Sequence, residues 1–313
     1  MVKSSFSSID PRPRLEALAL LAALIPVSVS LAADPPSRAV LEVTKNSAGE
    51  ETITHGVLLA DRPGLAVTVA ASVEDKATFH VSLHPRPADA SPTLATVALF
   101  DPNSRILFLK LDAPPTDATP VRLAAVPSTT TTTLTWTPPE GAQPAIDAGP
   151  LRQLDGNPLA LTLRRLHFGS SRETDRPVPG TPVYNPQGDL VALPLSPIPE
   201  ETGAWLGLPV AAVAKLADDL AAVGRAETGQ LDLGIAIGTT TPRIEFVKPG
   251  SRAQKAGLAQ GDIILSLGNR PISDVFDILD ANFFLAARNP LNIRFLRGLE
   301  IMSATAPPVV PGK

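Results

Sequence analysis

The chain has 313 residues, 44% hydrophobic, 19% charged and only 4% aromatic, with 34 prolines, no cysteine and a formal net charge of −4. This length and apolar content can fill roughly two or three cores, and the many prolines disfavour long helical bundles and favour short strands between turns. Disulfides, thiol chemistry and cysteine–zinc sites are excluded, and a mildly acidic chain without a Lys/Arg cluster lacks the basic surface that nucleic acid requires.

The N-terminal segment reads as an export signal. Lys3, Arg12 and Arg14 precede the apolar run Ala17–Ala33, and Ser30 and Ala32 stand at minus three and minus one of a cleavage site after Ala32. Residues 1–32 are expected to be removed, which takes the net charge from −4 to −5 because they hold three basic and two acidic side chains. The mature chain is then periplasmic or extracellular; an uncleaved membrane anchor is the alternative, since such a run is at the lower edge of a spanning helix.

Next come the strand-like segments "AVLEVTK", "GVLLA", "LAVTVAASV", "TFHVSLH", "ATVALF" and "ILFLKLD", each bounded by Pro, Gly, Asn or Asp. Their spacing predicts a closed or sandwiched antiparallel sheet over residues 38–112. "APPTDATP" reads as a linker and Thr129–Thr133 as an edge strand or loop, with a glycosylated stalk as the weaker alternative. Strand-like material resumes at "PLALTLRRLHF" and "GDLVALPL", so residues 113–208 form a second β region. At Pro209–Gly224, "PVAAVAKLADDLAAVG", the period changes to three and four and predicts a connecting helix over 209–224.

Residues 225–301 carry the most specific pattern. "KPGSRAQKAGL" gives a Pro-Gly turn and a short helix, "GDIILSLGNRPI" two strands around a Gly-Asn turn, and "VFDILDANFFLAAR" an apolar helix that needs a sheet to cover it, followed by the strand "LNIRFLRG". Together with "LDLGIAIG", Leu231–Gly238, this stretch resembles a PDZ domain of the bacterial HtrA type. Residues 302–313 read as a tail.

With that ending, the upstream part is similar to the HtrA-type trypsin-like protease domain. The resemblance implies a mainly β protein, a trypsin-like double β-barrel followed by one PDZ domain. It also implies where a catalytic triad would stand. "GVLLADRPGLAVTVAASVED" is similar to the segment ending at the catalytic histidine, whose place holds Ser72; "DPNSRILFLKLD" is similar to the segment of the catalytic aspartate, whose place holds Arg105; and "PGTPVYNPQGDLVAL" is similar to the Ser-Gly-Gly-Pro segment, with Pro179 at the nucleophile and Gly180 and Pro182 kept.

A serine protease needs a hydroxyl nucleophile, an imidazole base and a carboxylate to orient it. None of Ser72, Arg105 and Pro179 can fill its role, and proline also lacks the backbone N–H that would donate to an oxyanion. The four histidines, His55, His80, His84 and His167, make no metal cluster beyond His80 and His84 on one side of a strand, and His167 beside Ser170 and Ser171 reads as a surface loop. No Gly-rich phosphate loop follows a strand, and no cofactor is expected.

Chemical competence therefore rests on the PDZ-like groove. The resemblance assigns a carboxylate nest and peptide-binding strand to Leu233, Gly234, Ile235, Ala236 and Ile237, while alternation also permits Leu233, Ile235 and Ile237 to be core residues. The expected protein is an inactive homologue acting as a peptide-binding scaffold or regulator. Its expected partners are C-terminal peptides or exposed segments of extracytoplasmic proteins, a further copy of itself, or an active HtrA-type protease. An active endopeptidase with unusual residues and a purely structural PDZ scaffold are the alternatives.

Overall fold

The computed structural model describes residues 40–125, 135–136, 152–154, 163, 165–169, 177–185, 187–198, 201, 203–227, 233, 235–237, 241–286 and 288–309. The export segment and Thr129–Thr133 lie outside the described residues.

Six antiparallel strands close into a barrel: β1 (Leu41–Ser47), β2 (Glu50–Leu58), β3 (Leu65–Val69), β4 (Thr78–Leu83), β5 (Thr93–Asp101) and β6 (Ile106–Leu111), in the spatial order β1-β2-β3-β6-β5-β4. Alternation explains the closure, because successive side chains point to opposite faces. Leu41 and Val43, Phe79 and Val81, and Leu107, Leu109 and Leu111 share one buried cluster. The opposite faces of β3 and β6 bury Val67, Val69, Ile106 and Phe108 in a second cluster. These two strands are apolar on both sides because one side fills the barrel and the other meets the next sheet.

That sheet has six antiparallel strands, β7 (Thr135–Trp136), β8 (Arg152–Leu154), β9 (Arg165–Gly169), β10 (Val183–Tyr184), β11 (Leu190–Pro197) and β12 (Ala204–Pro209), ordered β7-β10-β11-β12-β9-β8. The connector Val121–Ala124 joins the two sheets along its backbone. Val121 N–H donates to Leu58 O and Ala60 N–H to Val121 O, while Leu190 N–H donates to Arg122 O and Ala124 N–H to Leu190 O, each at 2.8 to 2.9 Å. Helix α1 (Val210–Val223) then lays Val210, Val213, Leu216 and Ala217 into the same cluster as Leu190, Leu193 and Leu208. It stops at Gly224, whose φ of 70° is the left-handed conformation glycine tolerates best.

The C-terminal region pairs β13 (Ile235–Ile237) with β14 (Ile244–Val247), followed by α2 (Arg252–Lys255), β15 (Ile263–Leu267), β16 (Arg270–Pro271), α3 (Val275–Phe284), β17 (Leu291–Arg297) and β18 (Glu300–Ala306). The last four strands form a sheet ordered β16-β15-β17-β18. Helix α3 opens with a capping box in which the Asp274 and Asp277 side chains each accept the other's backbone N–H. It ends at Phe284, four residues short of the helix expected through Arg288; Leu285 turns extended, with φ −95° and ψ 130°. The sheet also runs past Ile301. Strand β18 pairs with β17 from Arg297↔Glu300 to Leu291↔Ala306, so the stretch read from sequence as a tail begins as a sheet strand.

Candidate functional site

The strand register brings Ser72, Arg105 and Pro179 to one end of the barrel. Val69, the last residue of β3, pairs with Ile106, the first of β6. Ala70 N–H donates to Arg105 O at 2.9 Å, which carries the pairing one step further towards Ser72. Arg105 adopts φ 65° at the end of a turn closed by its own N–H on Asp101 O at 2.7 Å. The Asp101 carboxylate in turn accepts the Ser104 N–H. From the second sheet, Pro179 reaches the same end by docking on His55 of β2.

His55 is the residue that sequence reasoning missed. Its N–H donates to Pro179 O at 2.8 Å, and its carbonyl accepts the Thr68 hydroxyl at 2.5 Å. Its buried ring places Nδ1 2.8 Å from Thr181 Oγ1 and packs 4.4 Å, centroid to centroid, from the His84 ring. The Thr181 hydroxyl donates to Val178 O at 2.7 Å, so Nδ1 carries the proton and donates to Thr181. Burial, reinforced by the neighbouring His84, pushes His55 down to about 4. His84 in turn lies 3.8 Å from the Glu42 carboxylate. No local sequence signal joins two residues 126 positions apart.

Chemically this pair positions rather than activates. A base must accept the hydroxyl proton of a nucleophile, whereas here the imidazole is the donor and the Thr181 proton already points at a backbone carbonyl. The loop Pro177–Pro182 has equally little to offer an oxyanion. Three of its six residues are prolines without N–H, Gly180 N–H is bound to Pro194 O at 2.7 Å, and Thr181 N–H to Val178 O at 2.9 Å. An oxyanion hole needs preorganised donors that converge on one point, and only the Val178 N–H has no backbone acceptor among the described residues.

Ser72 is committed elsewhere. Its hydroxyl donates to Glu74 at 2.5 Å, and Lys45 Nζ binds both Ser72 O, at 2.9 Å, and Glu74 Oε2, at 2.7 Å. The Lys45 hydrogen bond, with those from Ser72 and Ser47, pulls Glu74 down to about 2. This knot rims a cavity of about 390 Å³ at the barrel mouth, floored by Val69, Phe79 and Leu107. His167, the other histidine with a nearby serine in sequence, is bound through Nε2 to Glu201 at 2.7 Å; Ser170 and Ser171 lie outside the described residues. Among the described residues no three His, Asp or Glu side chains group to hold a metal ion.

In the C-terminal region, Leu233 is a core residue and its carbonyl accepts the Ala253 N–H at 3.0 Å. Ile235 and Ile237 are half-buried, Ala236 is exposed, and Gly234 lies outside the described residues. Among the described strands β13 pairs with β14 alone. Ile278 and Ala281 of helix α3, with Leu285 just past its end, join the cluster that holds Ile235 and Ile237, so this face of the helix looks towards β13. At the end of the same helix, Phe283 and Phe284 join Leu216 and Ala217 of α1 in the barrel-side cluster.

Comparison with solved structures places this architecture. The chain is similar to the serine endoprotease from Yersinia pestis, at 20% identity and TM-score 0.56, covering 90% of this chain and 98% of that one. It is similar also to the HtrA-type protease AlgW solved with a decapeptide, at 17% identity and TM-score 0.63, covering 92% and 100%, and to AlgW solved with a tripeptide, at 17% and 0.63, covering 91% and 98%. No protein-family model and no curated protein matches the sequence. At these identities the likeness establishes the fold: mainly β, with the trypsin-like barrel architecture of HtrA-type proteases.

Proposed function

We propose that this chain is an exported, catalytically inactive homologue of HtrA-type proteases that acts by binding extended peptides. The observation that carries the loss of catalysis is the loop Pro177–Pro182: the nucleophile position is Pro179, its carbonyl is bound to His55, and the following N–H groups are spent inside the protein. Ser72 and Arg105, at the base and orienting positions, supply neither imidazole nor carboxylate. The apolar run Ala17–Ala33 with its small-residue end supports export.

Peptide binding falls to the C-terminal region, which we read as a PDZ domain. The free side of β13 can accept an added strand, Ile235, Ile237 and Ile278 offer apolar lining, and the two AlgW structures were solved with bound peptides. The segment Leu233–Ile237, in which Gly234 lets the backbone approach the ligand, takes the terminal carboxylate. Burying a Val- or Leu-sized terminal side chain contributes roughly 1.5–3 kcal/mol, part of the about 8 kcal/mol that a micromolar affinity requires, with the added-strand hydrogen bonds and the carboxylate contacts supplying the rest. Titration with peptides ending in a free carboxylate after an apolar residue tests the groove, and equal binding of amidated peptides overturns it. Labelling with a fluorophosphonate and casein turnover test the first half: label uptake with inhibitor-sensitive cleavage would mean an active endopeptidase.

A further inference from the structure

The hairpin β17–β18 leaves a strand edge whose geometry is unusually well defined. Gly298, with φ 63°, and Leu299 form a two-residue connection, so Arg297 and Glu300 are a hydrogen-bonded pair, and so in turn are the pairs at Met302, Ala304 and Ala306. The backbone N–H and C=O groups of Ile301, Ser303 and Thr305 therefore point away from β17. Among the described residues β18 is the last strand of its sheet. Natural edges are usually protected by a charge, a proline or a bulge, and the five residues Ile301–Thr305 contain none of these. Ile301 is 62% exposed, Met302 37%, and Leu299 at the tip 98%.

The ends of this edge carry opposite charge. Glu300 stands at the hairpin end. At the other end the largely buried Arg252 of α2 sets its guanidinium against the strand, Nε donating to Pro307 O at 2.6 Å and Nη2 to Asn289 O at 3.4 Å, so the positive charge there is fixed within the chain. An antiparallel partner of the same sequence brings each acidic end to the other's basic end. It also sets Ser303 opposite Ser303, Ile301 opposite Thr305 and Met302 opposite Ala304, with no like charges facing one another.

We propose that β18 is a self-association edge, on which a second copy of this chain pairs antiparallel about a two-fold axis through Ser303 and joins two four-stranded sheets into one. The symmetry is isologous and closed, which ends assembly at the dimer. The contact is independent of the groove at β13, so its failure would leave the peptide-binding reading untouched. Strand pairing of this length belongs to the weaker class of interfaces, and the dimer forms in the micromolar range.

The absence of native cysteine makes the test clean. Directly opposed hydrogen-bonded residues sit about 5.5 Å apart at Cα, within disulfide reach. Ser303→Cys in the full chain is expected to form a covalent dimer under mild oxidation, while Leu94→Cys, on the exposed face of β5, is not. Ser303→Pro removes only an outward N–H and keeps the ladder to β17, so light scattering should find a monomer where the parent chain doubles its mass. A parent chain that is monomeric at about 100 µM overturns the proposal. So does a folded Ser303→Pro variant that still dimerises, or equal cross-linking at positions 94 and 303. Should Ser303→Pro fail to fold, the cross-linking comparison decides.

Discussion

Gly180 and His55 meet backbone to backbone: a Cβ on Gly180 would lie 2.1 Å from the His55 carbonyl oxygen, and Gly180 holds φ 83°. One contact thus fixes where the second sheet's loop docks on the first barrel. Gly180→Ala meets two penalties, about 1–2 kcal/mol for a left-handed non-glycine residue and about 1–3 kcal/mol for overpacking against an unyielding backbone. The variant should lose about 3 kcal/mol, read as a lowered urea midpoint with unchanged slope.

His55 makes stability depend on pH, and the sign follows from its depressed value. Folded, it takes a proton only near 4; unfolded, near 6.5. Between these values the unfolded chain binds the extra proton, so the contribution is complete above about 6.5 and is lost as pH falls towards 4. The full displacement corresponds to about 3 kcal/mol at most. Urea midpoints measured across this window should fall with acidification, and His55→Asn should flatten the fall.

The buried Tyr184 hydroxyl has no hydrogen-bond partner among the described residues, and burial pushes the phenol far up. Tyr184→Phe removes an unsatisfied polar atom without changing the ring. It is expected to be neutral or to stabilise by about 1 kcal/mol in thermal or urea unfolding, where a satisfied hydroxyl would instead be missed.

Pro179→Ser restores a hydroxyl and one N–H but no base, because Ser72 is held by Glu74 and the His55 Nδ1 proton points at Thr181. Catalytic groups act as a unit. The variant should remain without turnover of unfolded casein, and measurable cleavage would show that another side chain serves as base.

The six barrel strands are legible in sequence because each buries one face, so Leu41 and Val43 or Leu107, Leu109 and Leu111 recur with period two. Strand β18 is not, since Ile301, Met302, Ser303 and Thr305 are all exposed and nothing in their order announces burial. The end of α3 is hidden for a related reason. Leu285 and Ala286 are as apolar as a helix would want, and composition does not reveal that the chain straightens to set Leu285 against the C-terminal core. The empty triad positions could be read from residue types alone. The lock that fills the space between the sheets could not, because His55 and Thr181 meet only after both have folded.

Helix α3 belongs to two cores at once: Ile278 and Ala281 face one, joined by Leu285 at its end, Phe283 and Phe284 face the other, and Arg288 just beyond it pairs with the buried Glu227 carboxylate at 3.2 Å. A wall shared in this way leaves no seam along which heat can divide the molecule. The barrel side and the C-terminal side should melt together in one calorimetric transition, and an occupant lodged against α3 should delay the melting of residues it never touches.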